Sequence, residues 1–87
     1  MIDSDDFTGE VIWLRPEALG PEYRTDEHLL VEAVGGSGCQ KGAIGSSVFV
    51  QHLDGTQTGT RRNFVDRLAT GEEREYFKAN AKPFVGW

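Results

Sequence analysis

The sequence predicts an α+β domain, mainly β: four short strands in a twisted antiparallel sheet or small open SH3-like barrel, with one C-terminal helix. Three observations predict it. Asp54-Gly55 stands between two β-rich runs, a strong short-range signal for a hairpin. Short apolar runs, Glu10–Leu14 and Leu29–Val34, are each closed by proline or glycine. Thr70-Gly71-Glu72-Glu73 has the spacing of a capping box at the start of a helix. There is no internal repeat and no low-complexity linker. Residues 1–87 therefore read as one domain: an acidic arm over 1–6, a β-rich body over 7–68 and a helix over 70–82.

Taken in order, Glu10-Val11-Ile12-Trp13-Leu14 is a first strand, apolar enough to be buried on both faces, and Arg15-Pro16 stops it. Pro16–Gly20 has the make-up of one helical turn, with proline at its first position and glycine as the stop. Glu22–Glu27 is a polar surface loop carrying Tyr23. Leu29–Val34 is the second strand and Gly35-Gly36 ends it. The third strand covers about Ser46–Leu53. A two-residue Asp54-Gly55 loop sets Leu53 opposite Thr56. It follows that Gln51 faces Thr58, Phe49 faces Thr60 and Ser47 faces Arg62. On the other face Val50 meets Gly59 and Val48 meets Arg61. A helix over about Gly71–Ala81 carries early acids and late lysines, which suit its dipole. Tyr76, Phe77 and Ala81 form its apolar face, and Pro83 ends it. Phe84–Trp87 is a tail that either docks or stays exposed.

A chain of 87 residues buries only about 60–65% of its unfolded surface, which bounds its stability. No apolar run approaches the roughly 18–20 residues that cross a bilayer. The acidic start, Met-Ile-Asp-Ser-Asp-Asp, is the opposite of a signal peptide. With a single cysteine there is no disulfide framework, so a reducing, cytoplasmic setting is expected. The net charge of −5 is unevenly placed: residues 1–32 carry −7 and residues 33–87 carry +2. Such a balance opposes direct non-specific nucleic-acid binding, where neutralised phosphates supply the affinity. It favours basic partner surfaces, including sites that normally hold nucleic acid.

The chemistry-bearing residues form no catalytic set. Gly36-x-Gly38-x-x-x-Gly42 with Lys41 is not a phosphate loop: Lys41 precedes Gly42, and no Ser or Thr opens a helix after it. Cys39 has no histidine at a spacing that pairs with it, so it reads as a small buried core residue. One cysteine and two scattered histidines do not fill a zinc site, and neither metal nor cofactor is expected. Arg61 and Arg62, adjacent on a strand, point to opposite faces, one toward a carboxylate such as Asp66 and one toward a partner. The strongest candidates by number are the acids Asp5, Asp6, Glu17, Glu22, Asp26 and Glu27. Folded together, they form an acidic face able to imitate a phosphate backbone toward a basic groove; kept apart, they are solvated loops.

The order of landmarks also resembles a known domain. Phe7-Thr8-Gly9 leads into the first strand, followed by Arg15-Pro16-Glu17-Ala18-Leu19-Gly20-Pro21-Glu22-Tyr23-Arg24-Thr25. Leu29-Leu30, Gly36-x-Gly38-Cys39, Gly45-x-x-Val48-Phe49-Val50, Asp54-Gly55 and Arg61-Arg62-Asn63-Phe64 come next. Over Phe7–Leu68 this resembles a small domain of phage, plasmid and conjugative-element proteins, found alone or appended to large multidomain chains, often encoded near antirestriction functions. Asn63 stands where that pattern has an acid, and the C-terminal end diverges. The resemblance implies a mobile-element origin and brings no catalytic residues. The expected function is a non-enzymatic inhibitor of a host defence complex, a CRISPR effector or restriction enzyme, working through its acidic face. The alternatives are a nucleic-acid-binding β module using Lys41, Arg61, Arg62 and the aromatics, or a structural accessory domain of a larger mobile-element system.

Overall fold

A computed structural model describes residues 5–84. The architecture is α+β and mainly β, with five strands rather than four. They are β1 (Val11–Leu14), β2 (Leu30–Gly35), β3 (Ser47–Gln51), β4 (Gln57–Arg61) and β5 (Val65–Leu68). All neighbours are antiparallel in the open-sheet order β4-β3-β2-β1-β5. Helix α1 is a single turn, Asp26–Leu29, and α2 spans Gly71–Asn80. Pro16–Ala18 forms the expected turn as a 3-10 helix. Pro21–Tyr23 and Asp26–Leu29 are likewise helical turns; Glu22–Glu27 reads in the sequence as a plain loop, and Leu29, expected to open the second strand, ends α1 instead.

Strand β5 was not expected. Its four residues are too short for a periodic signal, and its partner, β1, lies far away in sequence. Only Arg62–Phe64 separates β4 from β5, although these strands form the two edges. Four residue steps reach about 14 Å, whereas edges four strand spacings apart in a flat sheet lie about 19 Å apart. The sheet must therefore curl.

The curl separates two apolar clusters. Inside it lie Phe7, Ile12, Val31, Ala33, Val48 and Val50, joined by Leu14, Leu29, Cys39 and Val65. On the outer face α2 inserts Phe77 between Val11 and Leu30. β1 is thus buried on both faces, as its run of apolar residues requires. Lys78 reaches Glu32 across this contact at 3.1 Å.

The β3–β4 hairpin is shifted by one residue from the expected register. Gln51 pairs with Gln57, Val50 with Thr58, Phe49 with Gly59, Val48 with Thr60 and Ser47 with Arg61. The cause is the turn. A two-residue loop of the favoured type needs positive φ at both central positions, but no non-glycine residue here has positive φ. Instead the Gly55 amide donates to the His52 carbonyl at 3.0 Å, and the His52 amide donates to the Thr56 carbonyl at 2.8 Å. The loop holds three residues, with Gly55 alone left-handed at φ 88°. Asp54 fixes it by accepting from the Thr56 amide and hydroxyl. A one-residue shift turns every β4 side chain to the other face. Thr58 and Thr60 consequently lie opposite Val50 and Val48, where Gly59 and Arg61 were expected.

The α2 cap is as the sequence predicts. The Glu73 amide donates to the Thr70 hydroxyl, and the Thr70 amide donates to the Glu73 carboxylate at 2.8 Å. The apolar face is narrower than expected. Phe77 is 1% exposed, whereas Tyr76 is 55% exposed and faces solvent. Of the C-terminal tail, residues 85–87 lie outside the described residues, as do residues 1–4 of the acidic arm.

Candidate functional site

Helix dipoles attract acids to the first turn of a helix, and both helices here begin with an acidic pair. Asp26-Glu27 opens α1, and Glu72-Glu73 opens α2. The fold brings these two pairs to one place, because α2 crosses the outer sheet face beside the loop that carries α1. A cleft of about 340 Å³ lies between them. Its floor is apolar: Trp13 and Leu30 from the sheet, Leu53 from the hairpin turn and Tyr76 from α2. Its rim carries all four acids.

The four acids are not equivalent. Glu73 is committed to the fold. It accepts from Arg67 Nη1 at 3.0 Å and from the Thr70 amide, and these bonds, the arginine first, pull its carboxyl down to about 2. Arg67 also stacks over the Trp13 indole, 5.6 Å from the ring centroid. The indole N–H helps to depress Glu73, yet it is buried and makes no hydrogen bond of good geometry. Asp26, Glu27 and Glu72, by contrast, are exposed and have no side-chain hydrogen bond or ion pair among the described residues. Three unneutralised carboxylates thus border an open aromatic floor. Such an arrangement suits binding of a cation that carries apolar surface.

The remaining candidate acids lie elsewhere. Asp5 and Asp6 run beside Gln40 and Lys41, next to Phe7 and the inner cluster. Asp6 accepts from the Thr8 amide at 2.9 Å, and that bond lowers its pKa. Glu17 and Glu22 sit exposed on the two proline-led turns and do not line the cleft. The six predicted acids therefore do not form one continuous site; only Asp26 and Glu27 join the cleft. The acids from α2 were legible in sequence as a helix cap, but no sequence signal placed them beside α1.

The arginine pair divides by role. Arg62 is half-buried. Its guanidinium donates to the Gly38 carbonyl at 2.9 Å and stacks over Phe7 at 5.3 Å, which clamps the glycine-rich segment to the body. Gly38 itself is buried, and a Cβ there would collide with the Ser46 backbone. Arg61 is exposed on edge strand β4 and donates to the Ser46 hydroxyl at 3.1 Å, not to Asp66. Near it, beyond the cover of α2, Phe49 is 53% exposed and borders a groove with Val34 and Gly59.

Cys39 is buried, its thiol donates to the Gly35 carbonyl at 3.2 Å, and burial pushes its pKa up. A protonated, enclosed thiol is a poor nucleophile. Among the described residues no group of three or more His, Cys, Asp or Glu side chains is placed to hold a metal ion. No helix among them is long and apolar enough to cross a membrane. Searches against protein-family models, curated proteins and solved structures find no match to this chain.

Proposed function

We propose that this chain is a non-enzymatic binding protein of a mobile genetic element that inhibits a host defence complex, in an anti-CRISPR or antirestriction role. It does so by laying an acidic face against a basic protein surface. One observation carries the reading: Asp26, Glu27 and Glu72, brought together from helix starts far apart in sequence, remain unpaired around an open apolar cleft. Charges left unneutralised beside exposed aromatic surface complement a partner rich in arginine and lysine. The motif resemblance over Phe7–Leu68 supports the mobile-element origin. The test is capture of purified CRISPR effector or restriction complexes by the tagged protein after nuclease treatment. Charge reversal of Asp26, Glu27 and Glu72 should abolish capture, while reversal of Asp5 and Asp6 should spare it. Equal loss from both sets would replace the cleft with a diffuse acidic surface.

A second reading has its own observation. Phe49 projects from the sheet near Arg61, a pairing of ring and cation used to stack single-stranded nucleic acid. It predicts oligonucleotide binding that weakens steeply with salt and disappears in Phe49→Ala. No binding at low salt removes it.

A further inference from the structure

We propose that the cleft between the starts of α1 and α2 is a socket for a single arginine side chain presented by the partner. This deepens, and rests on, the acidic-face reading above.

The chain itself displays the chemistry. Beside the cleft, the Arg67 guanidinium stacks on Trp13 and pairs with the Glu73 carboxylate at 3.0 Å. That guanidinium is seated by an aromatic plane, by both oxygens of one carboxylate at 3.0 and 3.3 Å, and by the Leu68 carbonyl at 3.0 Å. The cleft offers an aromatic plane and carboxylates again: the exposed ring of Tyr76, and the carboxylates of Asp26, Glu27 and Glu72, which pair with no cationic side chain among the described residues. Helix dipoles account for acids at the helix starts. They do not account for Tyr76 lying open to solvent, or for Leu30 and Leu53 lining a cavity below it.

The shape selects among cations. A volume of about 340 Å³ is far larger than a bare metal ion needs and accommodates a long side chain. An apolar floor under a charged rim matches a side chain with an aliphatic stem and a charged head. The planar guanidinium stacks on an aromatic face and binds carboxylates through two parallel bonds, which an ammonium does not. Arginine is accordingly the occupant that uses every wall of the cleft.

The experiment titrates the ¹⁵N-labelled chain with a capped Gly-Gly-Arg-Gly-Gly peptide and with the same peptide carrying citrulline, which has the shape of arginine without its charge. The arginine peptide should shift the Trp13 indole and the amides of Leu30, Leu53 and Tyr76. The citrulline peptide should bind at least about tenfold more weakly, because its contacts to carboxylates lose their charge assistance. The combined Asp26→Asn, Glu27→Gln and Glu72→Gln variant should lose the arginine shifts. Tyr76→Ala, at an exposed position, should weaken them without altering the circular dichroism spectrum. Shifts scattered over the other acids, or equal binding of the two peptides, would overturn the socket. The capture experiment separates the two levels. A captured defence complex with no arginine binding in the cleft overturns the socket and leaves the acidic face standing. Localised arginine binding without capture supports the socket and removes the defence-complex reading.

Discussion

His52 donates from Nδ1 to the main-chain carbonyl of His28 at 2.9 Å, tying the β3–β4 hairpin to the end of α1. Because a carbonyl only accepts, Nδ1 carries the proton, and Nε2 accepts from the Thr58 hydroxyl at 2.8 Å. The buried imidazole is held neutral. Burial is the main cause that lowers its pKa below 6.5.

That depression sets a pH dependence. A histidine whose folded pKa lies below its unfolded value stabilises the fold above the unfolded value and loses that contribution as pH falls through the folded one. Stability should hold above about pH 6.5 and decline on acidification below it. Thermal melts between pH 7.5 and 5 should show the decline in the parent chain and flatten it in His52→Gln. A parallel decline in both would assign the effect to other groups.

The α2 cap titrates in a different range. With its pKa pulled down to about 2, Glu73 contributes above its unfolded value near 4.5 and loses that contribution as pH falls toward 2. Thr70→Ala removes the hydroxyl that caps Glu73 and should cost about 1 kcal/mol. In a domain of this size that lowers Tm by about 4–8 °C. A Tm within about 1 °C of the parent would mean that water replaces the cap.

Two aromatic side chains should respond to truncation by very different amounts. Phe77 is the only fully buried side chain of α2 among the described residues, and Phe77→Ala should cost about 3–5 kcal/mol in urea unfolding. Half-exposed Phe49 should cost less than about 1 kcal/mol in Phe49→Ala, because much of its ring already meets water. A large loss at Phe49 would show that it is a packing residue and not a surface available to a ligand.

Gly55→Ala tests the three-residue turn. Its φ of 88° strains any residue with a Cβ, and that Cβ would lie 2.5 Å from the Pro83 carbonyl oxygen. Together these should cost about 2–3 kcal/mol in urea unfolding. Tolerance of alanine there would mean that the segment after α2 shifts easily away from the hairpin tip.

Local physics was legible in the sequence wherever the deciding forces act between near neighbours. Thr70 and Glu73 cap α2 because a hydroxyl and a carboxylate three positions apart reach the orphan amides of the same turn. The apolar run of β1 required two covered faces, and the mainly β architecture followed from such short runs between breakers. What lay beyond reach depended on distant partners. The hairpin register turned on whether Asp54 would adopt positive φ or bond to Thr56 instead, a small energy difference between two local turns. β5 exists because β1 offers it an edge, not because Val65–Leu68 announces a strand. The cleft is the strongest case: sequence supplied the acids of Asp26-Glu27 and Glu72-Glu73 as two unrelated helix starts. Only the packing of Phe77 against Val11 and Leu30 lays α2 across the sheet and sets those carboxylates around one floor.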